Sequence, residues 1–349
     1  MKTTAARYLP ALALVALPLA AASLTASKPE DVGMSSERLK RISQMVQRRI
    51  DAGDMTGAVT IVARRGKVVH LEAQGLMDLE SKKPVAKDTM FRVASMTKPV
   101  TGVAIMMMIE EGKVRLTDPV SRYIPEFRGM KVAVALPSRP GPAGAAPAPA
   151  APQFYTVPAE REITIRDLLT HVSGLASGNM SNSDTRKLNR RPEENLASYI
   201  PRLGTTALEF QPGSRWAYSA QAGFDTLGRI VEIASGMPLD EFFRQRIFDP
   251  LGMKDIYFWP PDDRWPRVAS VYRRDPNGLT KTPNPNNMSS KVYFMGSGGL
   301  ISTAEDYLPL GVMLANGGQL NGKRLLSPKT VEMMRAVHVP DTLPGAAAG

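Results

Sequence analysis

One run that is apolar on every side of a helix constrains this chain more than any other feature. Thr101-Gly102-Val103-Ala104-Ile105-Met106-Met107-Met108-Ile109 leaves no polar face, and a helix of that kind is buried rather than half-solvated. The preceding residues, Phe91-Arg92-Val93-Ala94-Ser95-Met96-Thr97-Lys98, therefore set a serine at the mouth of a core helix. Lys98 follows three residues later, on the same helix face one turn along, where its amine reaches the Ser95 hydroxyl. A serine hydroxyl is a poor nucleophile until a neighbouring base takes its proton, and Lys98 is the candidate base. Amides at a helix N-terminus carry partial positive charge, so the Ser95 N–H is a candidate donor to the oxyanion formed when a carbonyl is attacked. The spacing alone decides little. At average composition a Ser-x-x-Lys occurs about once in a chain this long, and such a serine otherwise serves as an N-cap.

Residues 1–22 combine a basic start (Lys2, Arg7), an apolar run from Leu9 to Ala20 and a small-residue exit at Ala20-Ala21-Ala22. This pattern predicts an export signal, too short and too interrupted by Pro10 and Pro18 to span a bilayer. No later segment has enough consecutive apolar residues to cross one, so the expected location is the periplasm or the medium. Cysteine is absent, which removes disulfide and thiolate chemistry and suits an exported protein without requiring export. The formal charge of +11 favours anionic surfaces, here peptidoglycan or lipid head groups, since no nucleic-acid motif accompanies it.

Ser36 to Ala52 has helical spacing (Leu39, Ile42, Met45, Val46, Ile50) and stops at Gly53. Gly57–Ala63 and Val68–Gln74 read as antiparallel strands about an Arg64-Arg65-Gly66-Lys67 turn. The order helix, hairpin, core helix predicts an α+β fold, an antiparallel sheet with helices packed on it. Pro137 to Pro158 is rich in Pro, Ala and Gly and predicts a surface excursion that packs no core. Ile163 to His171 opens another helix, ended by Ser173-Gly174, and Phe224 to Ala234 a third, closed by Ser235-Gly236. Between them lies Gln211-Pro212-Gly213-Ser214-Arg215-Trp216-Ala217-Tyr218-Ser219-Ala220. Tyr218 falls in a loop before a helix, where a phenol can face a cleft. If it lies near Lys98 it can share the proton and later deliver it to a leaving group; otherwise it is a packing tyrosine.

In order, Ser95-Met96-Thr97-Lys98, Leu168 to Leu175, Tyr218-Ser219, Leu227 to Glu232, Ile247 to Met253 and Gly298 to Tyr307 resemble the serine beta-lactamase and penicillin-binding protein superfamily. The resemblance is closest to its class C beta-lactamase-like hydrolases and family VIII carboxylesterases, and covers roughly Val32 to Met334. It implies an α/β domain split around an inserted helical domain, with the site in the cleft between them. Applied to this chain, residues 23–130 and 291–349 belong to the first and 131–290 to the insertion. It further implies Ser95 as the acylated nucleophile, Lys98 as its base and Tyr218 as the proton-transfer partner, with Trp216 and Ala220 toward the substrate.

Two departures qualify what the resemblance implies. The family's second motif is usually Tyr-x-Asn, whose amide holds the substrate's amide side chain; Ala220 stands there, which favours simple esters over beta-lactams or peptides. The third motif, Lys-Thr-Gly or a His/Trp-Gly-Gly variant, follows the helix matched by Glu305 to Asn316 in the family, and no such triplet occurs after it here. Lys281-Thr282-Pro283 comes too early, so the C-terminal strands are expected to be missing. The expected function is therefore an exported serine esterase. The alternatives are a beta-lactamase or D-amino-acid-specific peptidase, and a non-catalytic envelope-binding protein of the same fold. His70, His171 and His338 are not spaced as metal ligands, no phosphate-binding glycine loop occurs, and neither a cofactor nor a metal is expected. His171 is expected to be a structural residue at a helix end.

Overall fold

A computed structural model describes residues 24–137, 152–276, 278–283 and 290–346. The predicted leader and the centre of the Pro/Ala-rich stretch lie outside the described residues.

The chain enters through α1 (Ser36–Asp51), capped by the Ser35 hydroxyl, which accepts the Arg38 N–H at 3.2 Å. A side-chain acceptor at this position satisfies one of the amides orphaned at a helix start. Helix α1 lies on the hairpin β1 (Gly57–Arg64) and β2 (Lys67–Asp78), paired antiparallel from Gly57↔Gly75 to Arg64↔Lys67. The two glycines permit that close start. A Cβ on Gly75, whose φ is +77°, would stand 2.3 Å from the Thr56 carbonyl. Strand β3 (Lys83–Pro84) extends this sheet. Lys281 ends a later strand and pairs with Asp78 and Glu80, so it serves the outer hairpins rather than a cleft.

A second antiparallel sheet carries the predicted nucleophile. Strand β4 (Met90–Arg92) runs into a 3-10 turn, Ala94–Met96, and then into α2 (Thr97–Glu110). From Val100 to Met108 every residue of α2 is buried, as its lack of a polar face requires. Burial of each large side chain contributes about 1.5–3 kcal/mol.

After α2 come β5 (Lys131–Ala135) and β6 (Phe154–Pro158), an antiparallel hairpin in register from Lys131↔Pro158 to Ala135↔Phe154. This corrects the expectation that the excursion runs to Pro158. Phe154-Tyr155-Thr156-Val157 is aromatic and β-branched, fits a pleated surface, and finds its partner in Val132 and Val134.

Short helices follow: α3 (Ile165–Leu169), α4 (Asn179–Arg186) and α5 (Leu196–Tyr199), then the longer α6 (Ala222–Ser235). Helix α6 packs on α2 and ends as its sequence predicts, at Gly236 with φ +75°. Beyond it lie α7 (Leu239–Phe243), α8 (Asp249–Leu251), β7 (Ile256–Tyr257) and a hairpin of β8 (Tyr272–Asp275) and β9 (Gly278–Lys281). Strand β10 (Ile301–Thr303) returns between β4 and β7 and leads into α9 (Ala304–Ala315). Helix α10 (Pro328–Arg335) is the last. The fold is a mixture of helices and antiparallel sheet with one dominant core, in which α2 and α6 are central. Among the described residues no helix is long and apolar enough to cross a membrane.

Candidate active site

The turn bearing Ser95 is held from behind by the second sheet. Val93 N–H donates to the Leu300 carbonyl at 3.0 Å, Leu300 N–H donates to Thr97 Oγ1 at 3.2 Å, and Tyr307 OH donates to the Met96 carbonyl at 2.7 Å. Ala94 adopts φ +46°, a left-handed conformation that costs an L-residue roughly 1–2 kcal/mol and that the bonded neighbours on both sides maintain. The kink leaves Ser95 exposed at the end of a buried helix.

Lys98 is buried, 6% exposed. Its Nζ donates to Ser95 Oγ at 3.2 Å and to the carbonyls of Ala220 and Ser297, each at 2.8 Å. An ammonium has three N–H bonds, and these three acceptors occupy them. Tyr218 OH donates to Ser95 Oγ at 2.8 Å, and its ring centroid lies 5.0 Å from Lys98 Nζ. Burial by itself raises the Tyr218 pKa, but the neighbouring Lys98 ammonium and the contact with Ser95 outweigh it, and the phenol is more acidic than usual.

The sequence-predicted Ser95, Lys98 and Tyr218 thus meet at one point. Ala220 joins them through its main-chain carbonyl rather than through a substrate-facing amide. Trp216 stands one ring further out: it meets His171 edge-on at 6.2 Å between centroids, and its main-chain N–H donates to the Pro344 carbonyl at 2.9 Å.

His171 follows α3 in a left-handed conformation, φ +60°, and its ring lies against Tyr218 at 4.6 Å and Phe224 at 5.4 Å. Nδ1 accepts the Ser219 N–H at 3.2 Å, so the proton of the neutral ring resides on Nε2. Burial, and then the nearby Lys98 charge, push its pKa down to about 4. It is a neutral wedge that fixes the Tyr218 loop. With three histidines in the chain, NMR titration of the imidazole protons is expected to show His171 with a midpoint near pH 4; a midpoint near 6.5 would contradict this packing. A histidine whose folded pKa lies below its unfolded value contributes stability that is complete above about pH 6.5 and is lost as pH falls toward 4.

Sequence reasoning missed Asp225. It lies on α6 among Phe224, Leu227, Ile230 and Val231 and is 3% exposed. Oδ1 accepts the Ser297 N–H at 3.0 Å and Oδ2 the Tyr293 hydroxyl at 2.9 Å. Burial pushes its pKa up to about 6 against those bonds and the Lys98 charge. This carboxylate fixes the loop whose Ser297 carbonyl holds Lys98. The available signal was an acid on the inner face of an otherwise apolar stripe. Asp225→Ala strands a buried amide and a buried phenol and is expected to cost about 2–5 kcal/mol, read from the urea midpoint; a loss below about 1 kcal/mol would contradict the assigned role.

Comparison with known proteins agrees with this geometry. The Beta-lactamase family model matches residues 42–348. An uncharacterized protein of Mycobacterium tuberculosis is 38% identical over 295 residues, covering 83% of this chain and 70% of that protein. Lovastatin esterase of Penicillium rubens is 32% identical over 305 residues, covering 84% and 71%. Among solved structures, EstCE1, described as a hydrolase with promiscuous acyltransferase activity, superposes with a TM-score of 0.69 at 27% identity, covering 88% of this chain and 80% of that one. A family match over most of the chain, with a serine, a lysine and a tyrosine converging at the head of its core helix, shows that the chain belongs to the beta-lactamase family as a serine hydrolase.

Proposed function

We propose that this protein hydrolyses small carboxylic esters through an acyl-enzyme on Ser95, with Tyr218 taking and returning the proton beside the Lys98 charge. The observation that carries the reading is Ser95 Oγ lying 2.8 Å from Tyr218 OH and 3.2 Å from Lys98 Nζ.

In the reactive ionisation the 2.8 Å contact reverses its sense: Ser95 O–H donates to a Tyr218 phenolate whose charge Lys98 holds. Ser95 Oγ attacks the ester carbonyl carbon as its proton passes to Tyr218. The carbonyl oxygen becomes an oxyanion, for which the Ser95 N–H is the donor we assign. Collapse breaks the ester C–O bond, and Tyr218 returns the proton to the departing alcohol. A water then attacks the acyl-enzyme by the same route in reverse, losing its proton to Tyr218 and regenerating Ser95 with release of the acid.

Ester preference rests on Ala220, which offers a methyl where an amide anchor would favour beta-lactams or peptides. It also draws on the esterase named among the relatives. Export through residues 1–22 belongs to the same proposal.

Tyr218→Phe removes one oxygen while keeping the ring against His171. It is expected to lower kcat/KM for 4-nitrophenyl butyrate by about 10²–10⁴ with the melting temperature unchanged. A variant as active as the wild type would remove Tyr218 from the mechanism. Turnover of the nitrophenyl ester, set against turnover of nitrocefin, tests the ester preference; faster nitrocefin hydrolysis would contradict it.

A further inference from the structure

Beside Ala220 lies a cavity of about 440 Å³ whose chemistry the ester reaction does not use. Its wall includes Arg186 at the end of α4, Arg190 in the following loop, and the amide side chains of Asn182, Asn189 and Gln221. Nearby carboxylates are committed elsewhere: Asp184 pairs with Lys187, and Glu194 with Arg191 and Arg202. Among the described residues neither Arg186 nor Arg190 has an ion-pair partner. Arg190 is held in place by Tyr293, its guanidinium 4.3 Å from the ring centroid, and Tyr293 is itself buried and bonded to Asp225.

The cavity and the reacting atoms have Ala220 as a common neighbour. Ala220 contributes to its wall, and the Ala220 carbonyl and Ser95 Oγ are both hydrogen-bonded to Lys98 Nζ, so they lie at most about 6 Å apart. Asp225 also borders it, but its two oxygens face the Ser297 N–H and the Tyr293 hydroxyl, which leaves one bonded carboxylate against two unpaired guanidinium groups. Guanidinium forks match carboxylate geometry, and amides supply further donors.

From this arrangement we propose that the cavity is the acyl subsite and receives an acyl chain ending in a carboxylate, so that half-esters of short dicarboxylic acids are preferred substrates. The proposal rests on the ester-hydrolase reading of Ser95 and names the substrate class for it.

The test compares kcat/KM for 4-nitrophenyl hydrogen glutarate with that for 4-nitrophenyl pentanoate, in the wild type, in Arg190→Gln and in Arg186→Gln/Arg190→Gln. The ratio is independent of how much of each variant is folded. The wild type is expected to favour the glutarate half-ester, and the double variant to lower the ratio about ten- to a hundred-fold, mainly through KM. Added salt should reduce the wild-type ratio. Preference for the pentanoate in the wild type, or an unchanged ratio in the double variant, would overturn the subsite. If neither ester is turned over, the reading of the reaction fails, and calorimetric titration of Ser95→Ala with glutarate decides the cavity separately. Binding that disappears on adding Arg190→Gln supports it, and no binding refutes it.

Discussion

Ser95→Ala is expected to abolish ester turnover, lowering kcat by about 10⁴–10⁶, while the protein melts as the wild type does. Both halves of the expectation have structural reasons. Among the described residues, removing Oγ removes the only atom to which Tyr218 OH and Lys98 Nζ both bond and the only hydroxyl bonded to either. The side chain is exposed at the turn, so no packing is lost, and an alanine fits the 3-10 conformation. Lys98 keeps its bonds to the Ala220 and Ser297 carbonyls. Residual activity within tenfold of the wild type, measured by initial rates with 4-nitrophenyl butyrate, would place the nucleophile elsewhere.

Lys98→Met should be almost as damaging to activity, by about 10³–10⁴, but it differs by also costing stability. Methionine matches the length and burial of the stem and carries no donor. The Ala220 and Ser297 carbonyls, which converge on Nζ from two different segments, lose their common partner at about 1–3 kcal/mol per buried acceptor. Relief from burying an ammonium offsets part of this, leaving an expected net loss of about 2 kcal/mol. The contrast with Tyr218→Phe separates the two roles. On the proposed mechanism the lysine both joins the Ala220 and Ser297 segments and balances the phenolate charge, whereas the phenol only moves a proton. Equal stability of Lys98→Met and wild type in urea would contradict the structural part, and retained turnover the catalytic part.

These effects concentrate on a site that local pattern exposed unevenly. Ser95 and Lys98 were legible because an apolar helix must be buried and a three-residue spacing must share its face. The helix end at Gly236 was legible because a left-handed glycine cap is local chemistry. Tyr218 was legible only as a loop tyrosine, since its partner lies 123 residues away and no periodicity reports such a distance. Asp225 stayed hidden because a carboxylate inside an apolar stripe signals a buried partner without naming it, and that partner, the Ser297 amide, is 72 residues on. Strand β6 was obscured by the composition of its neighbours: Pro and Ala between 137 and 153 masked four residues with strand chemistry. The left-handed turns at Ala94 and His171 were illegible in principle, because neither residue type prefers that conformation and tertiary bonds impose it.

The buried groups around Lys98 also bear on pH. His171, with its pKa depressed to about 4, loses its contribution to stability as pH falls from 6.5. Asp225, with its pKa raised to about 6, acts in the opposite sense: protonation in the fold begins before it would in the unfolded chain, so acid relieves its burial. Their contributions oppose one another between pH 4 and 6, and the wild-type stability curve is expected to be flatter there than either group alone would make it.

The most direct experiment is the intact mass of the protein and of Ser95→Ala after brief exposure to 4-nitrophenyl butyrate with acid quench, and separately to a fluorophosphonate. The assembled Ser95, Lys98 and Tyr218 predict a single adduct of one acyl or one phosphonyl group on the wild type and none on the variant. A folded wild type that takes up neither group, or a variant that is labelled equally, would contradict acylation at Ser95.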